Sequence, residues 1–196
     1  MTKTIATPAE SGPRARTRRA ILDAAVSVLV RDPAAPLVEI AKAADVGRST
    51  LHRYFKDRPE LYRAVLEHSQ QAITEVVAGS AVGQGRADEA LRQLITGLVN
   101  AGDRILFLFY GYRSEEDGDD QEKGSTDGSD DAIIRLIRRG QEEGTLTRDL
   151  DAEWIENALW SLVFAGCEEA RNGKLPRHGV AATVIRTFEG GVVRGD

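Results

Sequence analysis

The sequence has few of the residues that build disulfide bonds and metal sites. Its 196 residues include one cysteine, Cys167, and three histidines. A lone cysteine cannot form a disulfide within one chain, and it excludes a metal site built from several cysteines. No apolar run approaches the ~18 residues that cross a bilayer. The segment from Met1 to Arg19 is polar and arginine-rich, unlike a secretory signal. These absences predict a soluble cytoplasmic protein with no membrane association.

Sequence signatures of enzymes are missing as well. The three histidines, His52, His68 and His178, stand alone in the sequence. There is no phosphate-binding glycine loop, no paired-histidine metal motif and no nucleophile elbow. A calcium loop beginning at Asp119 fits poorly because Lys123 occupies a ligand position. The sequence therefore predicts no enzymatic activity, no cofactor and no metal site.

Positive and negative charges are unevenly distributed along the chain. Residues 1–68 carry 12 Lys or Arg and 8 Asp or Glu, whereas residues 69–196 carry 14 and 23. The front is therefore basic and the rear acidic, within a net charge of −5. This division is typical of a chain in which one part meets a polyanion, although chance clustering would also produce it.

Helical periodicity runs through most of the chain and predicts an all-α fold. Apolar residues recur at spacings of three and four, which places them on one face of a helix. The apolar segment 104–112 could also be a buried strand, but no second strand candidate lies nearby. Asp57 and Glu60 resemble a capping box that opens a long helix. The predicted helices cover 14–31, 37–44, 48–55, 58–78, 88–101, 104–112, 132–143, 152–171 and 178–193.

One acidic segment interrupts the helical pattern. Residues 114–131 hold nine acids and one lysine. Like charges repel, and no apolar residue anchors the segment. It is therefore predicted to be a disordered loop that DNA binding does not require.

Residues 40–55 have the pattern of a helix-turn-helix. A helix of about two turns is followed by a three-residue turn and a second short helix. Ala41 is small where the two helices cross, and Leu51 contributes to the core between them. Asp45 tolerates the left-handed conformation that the turn needs, and Gly47 can cap the second helix. An ordinary hairpin of two helices would also fit these positions.

Hydrogen-bond donors project from the second helix and crowd the start of the chain's first helix, which an ordinary hairpin does not explain. Hydroxyl, imidazole and guanidinium groups suit phosphate oxygens and base edges. We therefore predict that this helix binds double-stranded DNA. The residues assigned to DNA are Arg48, Ser49, Thr50, His52, Arg53 and Tyr54, with Arg18 from the first helix.

Residues 18–66 carry a series of short motifs in a fixed order: Arg19-Ala20-Ile21-Leu22-Asp23-Ala24-Ala25, Ile40-Ala41-Lys42-Ala43-Ala44, Val46, Thr50-Leu51, Tyr54-Phe55 and Glu60-Leu61. In order and spacing they resemble the DNA-binding domain of the TetR family of bacterial transcriptional regulators. The rear half resembles the family in being helical and in the local sequence pattern of residues 138–146.

Several positions depart from the family's pattern. Asp45 stands at the usual turn glycine, Gly47 at the helix-capping serine and Ser49 at a small glycine. His52 replaces the tyrosine that commonly touches a phosphate. Arg58 replaces the lysine that opens the fourth helix, and because it remains cationic it is also assigned to DNA. These departures bear on detailed contacts and not on the class.

The resemblance implies an architecture and a regulatory scheme. Residues 14–66 would form a three-helix helix-turn-helix domain for DNA binding, preceded by a disordered arm at 1–13. A linking helix would join it to a helical ligand-binding and dimerisation domain at 67–196. The family acts as homodimers on near-palindromic operators. We therefore expect a repressor that a small-molecule effector releases from DNA.

The resemblance also implies that the dimer contacts come from the last two helices. The penultimate helix carries small residues that allow close packing, and the final helix has an apolar stripe that a monomer would leave partly exposed. Packing within one chain would explain both features equally well. The residues assigned to the dimer interface are Ala158, Leu162, Ala165, Val184, Ile185 and Phe188.

The aromatic residues, only 6% of the chain, concentrate behind the front domain. Such clusters usually belong to a core, but the resemblance implies a ligand cavity among them. No Arg or Lys lies between Arg104 and Arg113, which favours a neutral or cationic apolar effector. The residues assigned to the ligand are Leu94, Leu98, Phe107, Tyr110, Tyr112, Trp160, Phe164 and Cys167.

A second class of function stays open at this point. A helical adaptor that binds protein, with no DNA or enzymatic activity, would have a similar composition. Binding to mixed DNA that falls steeply with salt separates the two classes, because it is the signature of phosphate neutralisation.

Overall fold

The computed structural model describes residues 12–80, 83–115 and 127–192, with side chains described except at 112–115 and 127–130. Across these ranges the chain forms helices and no β-strand, which confirms the all-α prediction. The chain divides into two compact units, an N-terminal unit up to Val65 and a C-terminal unit from Leu66. No helix in these ranges is long and apolar enough to span a membrane. The predicted arm at 1–13 lies outside them except for its last two residues.

Each predicted helix has a counterpart in the structure, and segment 104–112 is helical rather than a strand. A short 3₁₀ turn, Arg177–Gly179, precedes the last helix. The helices are α1 (Pro13–Arg31), α2 (Leu37–Ala43), α3 (Arg48–Tyr54), α4 (Arg58–Gly79), α5 (Ala87–Asn100), α6 (Gly102–Glu115), α7 (Asp127–Glu143), α8 (Ala152–Arg171) and α9 (Val180–Val192).

The predicted acidic loop at 114–131 is wrong at both ends. Helix α6 continues to Glu115, and α7 already begins at Asp127. Carboxylates near the start of a helix interact favourably with the helix dipole, so the acids of 127–131 do not prevent a helix from forming. The rest of the predicted loop, 116–126, lies outside the described residues.

The core of the N-terminal unit is built around α1. Its buried face carries Ile21, Leu22 and Ala25 at helical spacing, and α2 packs against it. The predicted capping box opens α4. Asp57 Oδ1 accepts a hydrogen bond from Glu60 N (2.8 Å), while Glu60 Oε2 accepts one from Lys56 N (2.8 Å). The capping box therefore fixes where α4 starts.

Helix α8 is the centre of the C-terminal unit, where it packs against α5, α6, α7 and α9. Its first turn is capped as predicted, because Asp151 Oδ1 accepts a hydrogen bond from Glu153 N at 3.0 Å. Its end coincides with the predicted Asn172-Gly173 stop, and Gly173 adopts a left-handed φ of 74°.

The contact between α8 and α9 corrects the prediction of an exposed apolar stripe. Val184 and Phe188 on α9 are each only 3% exposed within the single chain, so they stabilise the unit itself. Gly166 makes this approach possible, since a Cβ there would lie 2.7 Å from Val184 Cγ2 and 3.0 Å from Val180 Cγ1. Two of the six residues assigned to the dimer interface are therefore core residues.

Candidate nucleic-acid interface and ligand-binding region

The turn between α2 and α3 determines how α3 is presented. Asp45 has a φ of 53°, the left-handed conformation that its residue type was predicted to supply. Val46 N donates to Ala41 O (3.0 Å), which closes the turn. Gly47 is the N-cap of α3, and its carbonyl accepts a hydrogen bond from Leu51 N (3.0 Å). These backbone hydrogen bonds and the left-handed Asp45 fix the turn from which α3 begins.

Helix α3 turns one side inward and leaves the other open. Leu51 is fully buried and anchors the helix to the core. The predicted DNA-binding residues lie on the remaining surface: Arg48, Ser49, His52 and Arg53 are exposed, and Thr50 is half-buried. The hydrogen-bond donors of α3 are therefore placed together on an accessible surface, as an element that enters a DNA groove requires.

Two arginines lie beside a tyrosine ring at the carboxyl end of α3. The guanidinium carbons of Arg14 and Arg53 each lie 5.9 Å from the centre of the Tyr54 ring. With Pro13 and Thr17, these residues line an open groove between the start of α1 and the end of α3. We call this group the Tyr54 clamp. Sequence reasoning noted the arginine cluster on α1 but assigned only one of its members to DNA.

That member, Arg18, has a different neighbour. Its guanidinium carbon lies 5.6 Å from the centre of the buried Phe55 ring. Arg18 is half-buried, whereas Arg14, one turn earlier, is exposed. Of the two, Arg14 is therefore the one that presents its guanidinium beside the surface of α3.

Arg58, which the sequence assigned to DNA, has hydrogen-bond partners inside the protein. Its two terminal nitrogens donate to the carbonyl oxygens of Ala35 and Pro33 in the loop between α1 and α2. The side chain is half-buried. Arg58 therefore ties the start of α4 to that loop.

Four half-buried rings from α6 and α8 form what we call the aromatic cluster. The Phe109 ring lies 4.9 Å from Phe164 in a stacked arrangement and 6.4 Å from Trp160. The Tyr110 ring meets Phe164 edge to face at 5.9 Å. The Tyr110 hydroxyl donates to Glu168 Oε1 at 3.1 Å, so a carboxylate lies at the edge of the cluster.

The aromatic cluster includes three of the eight residues assigned to the ligand. Leu94, Leu98 and Phe107 are buried in the core, and their assignment to a cavity wall is not supported by their positions. Tyr112 lies on α6, but its side chain is outside the described residues. Phe109, which the prediction left out, takes the place of Phe107.

Cys167, the remaining predicted residue, lines a pocket beside the aromatic cluster. The pocket has a volume of about 320 Å³ and lies where the turn from α5 to α6 meets the end of α8 and the start of α9. Its charged residues are Asp103, Arg104, Arg171 and Arg177, and we call it the arginine pocket. Burial raises the pKa of the Cys167 thiol to about 11, and the Asp103 carboxylate adds to the shift. The thiol is therefore uncharged at neutral pH and behaves as a small apolar group.

The arginines of this pocket were missed because they come from distant parts of the sequence. Only Arg104 lies near the aromatic segment of α6, and Arg171 and Arg177 follow some seventy residues later. No local pattern in the sequence signals their meeting. In the described ranges, no three His, Cys, Asp or Glu side chains come together as a metal site would require.

Comparisons with known proteins agree with the geometry of α2 and α3. Residues 21–65 match the sequence model of the bacterial regulatory proteins of the tetR family. The chain is 35% identical over 184 residues to the HTH-type transcriptional repressor LfrR of Mycolicibacterium smegmatis, with 94% of each chain covered. It is 26% identical over 168 residues to the HTH-type transcriptional regulator NfxB of Pseudomonas aeruginosa, covering 86% of this chain and 90% of that one.

Solved structures extend the similarity to both units. LfrR in complex with proflavine matches with a TM-score of 0.72 at 32% identity, covering 94% of this chain and all of that one. The ketosteroid transcriptional regulator KstR2 of Mycobacterium tuberculosis shares the fold, with a TM-score of 0.70 at 15% identity over 97% of this chain and all of that one. The relatives are transcriptional regulators and not enzymes. The chain therefore belongs to the TetR family of bacterial transcriptional regulators.

Proposed function

We propose that the protein is a homodimeric repressor that binds a near-palindromic operator through α3 and leaves it when an aromatic effector binds the C-terminal unit. The observation that carries the proposal is the exposed donor surface of α3, which ends at the Tyr54 clamp. A relative that is 35% identical is named a repressor, which supports the direction of regulation.

The two ends of α3 suggest different roles on DNA. Arg48 and Ser49 lie exposed at its amino end, from which recognition helices commonly contact base edges. The Tyr54 clamp offers two guanidinium groups at the other end, and they suit phosphate oxygens. We therefore assign sequence readout to the first turn of α3 and positioning on the backbone to the clamp.

A partly exposed face of α8, in which Ala158 and Leu162 are half-buried, supports a dimer. Trp154, Ala158, Leu162 and Ala165 lie at helical spacing, so they share one face. Trp154 is 63% exposed, which is unusual for so large an apolar side chain, and Ala165 is exposed too. Ile185 on α9 is half-buried. A dimer carries two copies of α3, and helix-turn-helix dimers commonly bind two half-sites roughly 34–36 Å apart.

The aromatic cluster supports a flat, cationic effector. Planar aromatic molecules stack on aromatic rings, and the Glu168 carboxylate at the edge of the cluster can balance a positive charge. The complex of LfrR with proflavine, a flat aromatic cation, is consistent with this chemistry. The effector releases the protein from DNA only if it binds one conformation more tightly than the other. Its binding free energy for the conformation that does not bind DNA must be more favourable by about 1–3 kcal/mol.

Selection of bound sequences from random DNA would identify the operator and test the DNA-binding surface. We expect Arg48→Ala to weaken binding to the selected site by about 1–3 kcal/mol and to relax the sequence preference. Arg14→Ala should weaken binding to all sequences and make its salt dependence less steep. Arg31→Ala is the control, because Arg31 lies about 25 Å further along α1. Unchanged affinity and preference in the Arg48→Ala variant would contradict the assignment of α3.

Titration with proflavine tests the effector site. Proflavine binding should quench the fluorescence of Trp160 and release the protein from its operator. Glu168→Gln should weaken the binding of proflavine. Glu169→Gln is the matched control, since the Glu169 carboxylate instead pairs with Lys174 Nζ at 3.1 Å. Equal effects of the two substitutions would argue against the aromatic cluster.

Light scattering tests the dimer. Leu162→Glu together with Ala165→Glu should give folded monomers that lose tight operator binding. A wild-type monomer that binds its operator tightly would contradict the dimer proposal.

A further inference from the structure

Three guanidinium groups line the arginine pocket, against one carboxylate. Arg104 comes from the first turn of α6, Arg171 from the last turn of α8 and Arg177 from the 3₁₀ turn before α9. Asp103 contributes the only negative charge among the residues that line it. The lining therefore carries a net charge of about +2, in a protein whose net charge is −5.

The floor of the same pocket is apolar. The buried residues Leu106 and Val180 line the pocket, and Cys167 of α8 lies against the start of α6, where a Cβ at Gly102 would be 3.1 Å from its Sγ. The raised pKa of the thiol keeps this floor uncharged at neutral pH. A cationic rim over an apolar floor fits a molecule with an anionic head and a short apolar tail, because each part finds a matching surface.

We propose that the arginine pocket binds a small organic carboxylate, separate from the aromatic effector of the proposed function. The pocket volume of about 320 Å³ lies at the lower end of the ~300–1,000 Å³ of ligand sites, which limits the tail to a few carbons. Helix α6 begins at Gly102, which lines the pocket, so the positive end of the helix dipole lies there. The dipole therefore also favours a negatively charged ligand.

Arg171 connects this pocket with the aromatic cluster. Its guanidinium carbon lies 5.2 Å from the centre of the Tyr110 ring, and its Nη2 lies 3.8 Å from Glu168 Oε1. A carboxylate that draws Arg171 into the pocket would leave Glu168 to a cation in the aromatic cluster. Binding of the two ligands would then be mutually favourable, since coupling between sites is reciprocal. This consequence rests on the proposed function, whereas the pocket itself does not.

Calorimetric titration of the full-length protein with hexanoate, hexanamide and inorganic phosphate tests the site. We expect saturable binding of hexanoate, and at least about tenfold weaker binding of the uncharged hexanamide and of phosphate. Arg104→Gln with Arg177→Gln should weaken hexanoate binding by about tenfold or more. Arg186→Gln is the matched control, because Arg186 is an exposed arginine of α9 that does not line the pocket.

Each alternative outcome overturns the proposal. Equal affinity for hexanoate and hexanamide would show an apolar pocket without anion recognition, and equal affinity for phosphate would show a site that needs no tail. Equal losses in the Arg186→Gln control would show an effect of net charge. No saturable binding at millimolar hexanoate would show no site. Should the double variant not fold, Arg177→Gln alone replaces it, because Arg177 is exposed. None of these results depends on whether proflavine binds.

Discussion

The two units assemble their candidate binding surfaces from the sequence in different ways. In the N-terminal unit the donor surface of α3 comes from one continuous helix, Arg48–Tyr54. In the C-terminal unit the arginine pocket joins Arg104 with Arg171 and Arg177, which belong to separate elements. Helical periodicity decides which side of a short helix faces outward. No local rule decides which distant segments meet.

This difference explains how each surface depends on the residues that form it. A DNA-reading helix keeps its function as long as one short motif and its turn are kept, and here Asp45 holds the turn with the left-handed φ that glycine usually supplies. The arginine pocket is lined by residues of α5, α6, α8, the 3₁₀ turn and α9, and it changes whenever any of these elements shifts. The lining of this pocket can therefore change without any change in the turn and helix of the α2–α3 motif.

The largest effect that we expect tests the packing on which the C-terminal unit depends. Gly166→Ala should destabilise the protein by about 1–3 kcal/mol, because the new Cβ would lie 2.7 Å from Val184 and the α8–α9 contact must open. Chemical denaturation followed by circular dichroism measures the loss. If the substitution were neutral, the approach of α9 to α8 would not depend on a missing side chain.

Gly190→Ala in α9 is the matched control. A Cβ at Gly190 meets no atom within 4 Å, so only the helix propensity changes. Alanine is favoured over glycine in a helix by about 1 kcal/mol, and this variant should be as stable as the wild type or more stable. The opposite signs of the two substitutions separate packing from propensity.

Most helix positions could be predicted because they depend on residues within one turn of each other. The N-cap at Asp151, the left-handed Asp45 and the capping box at Asp57 all follow from interactions at short spacing. These interactions require no knowledge of the tertiary structure. The same reasoning located the donors of α3 on an exposed surface, because Leu51 marks the buried side.

The aromatic residues show where such reasoning ends. Phe107 and Phe109 are two positions apart on α6, which places them on nearly opposite sides of the helix. Both are apolar, so the sequence does not indicate which side faces the core. In the structure Phe107 is buried in the core, and Phe109 packs in the aromatic cluster. The prediction that the apolar stripe of α9 is exposed was wrong for the same reason, because a buried face and a dimer face have the same composition.

An effect of intermediate size concerns a long-range contact inside the N-terminal unit. Arg58 bonds to carbonyls 23 and 25 positions earlier, which no local pattern indicates. We expect Arg58→Ala to lower the free energy of unfolding by about 1 kcal/mol, because two carbonyls lose a charged donor in a partly exposed place. Operator affinity should fall with it, while the dependence of affinity on salt stays unchanged.

The salt dependence separates this role from a DNA contact. Loss of a phosphate contact would reduce the slope of log affinity against log salt by about one. Arg63→Ala, which removes an exposed arginine from the same helix, controls for the change in net charge. A reduced slope with unchanged stability would return Arg58 to the DNA-binding residues.

The smallest effect is a titration at the floor of the arginine pocket. The native fold favours the protonated Cys167 thiol, whose pKa is raised from 9.0 to about 11 chiefly by burial. The unfolded chain therefore releases this proton first, and the thiol's contribution to stability is fully present below about pH 9 and lost between about pH 9 and 11. The ultraviolet absorbance of the thiolate, taken as the difference from Cys167→Ser, should rise with a midpoint near 11 in the native protein and near 9 in denaturant. A native midpoint near 9 would mean that water reaches the thiol freely. The pocket would then have no dry floor to hold an apolar tail.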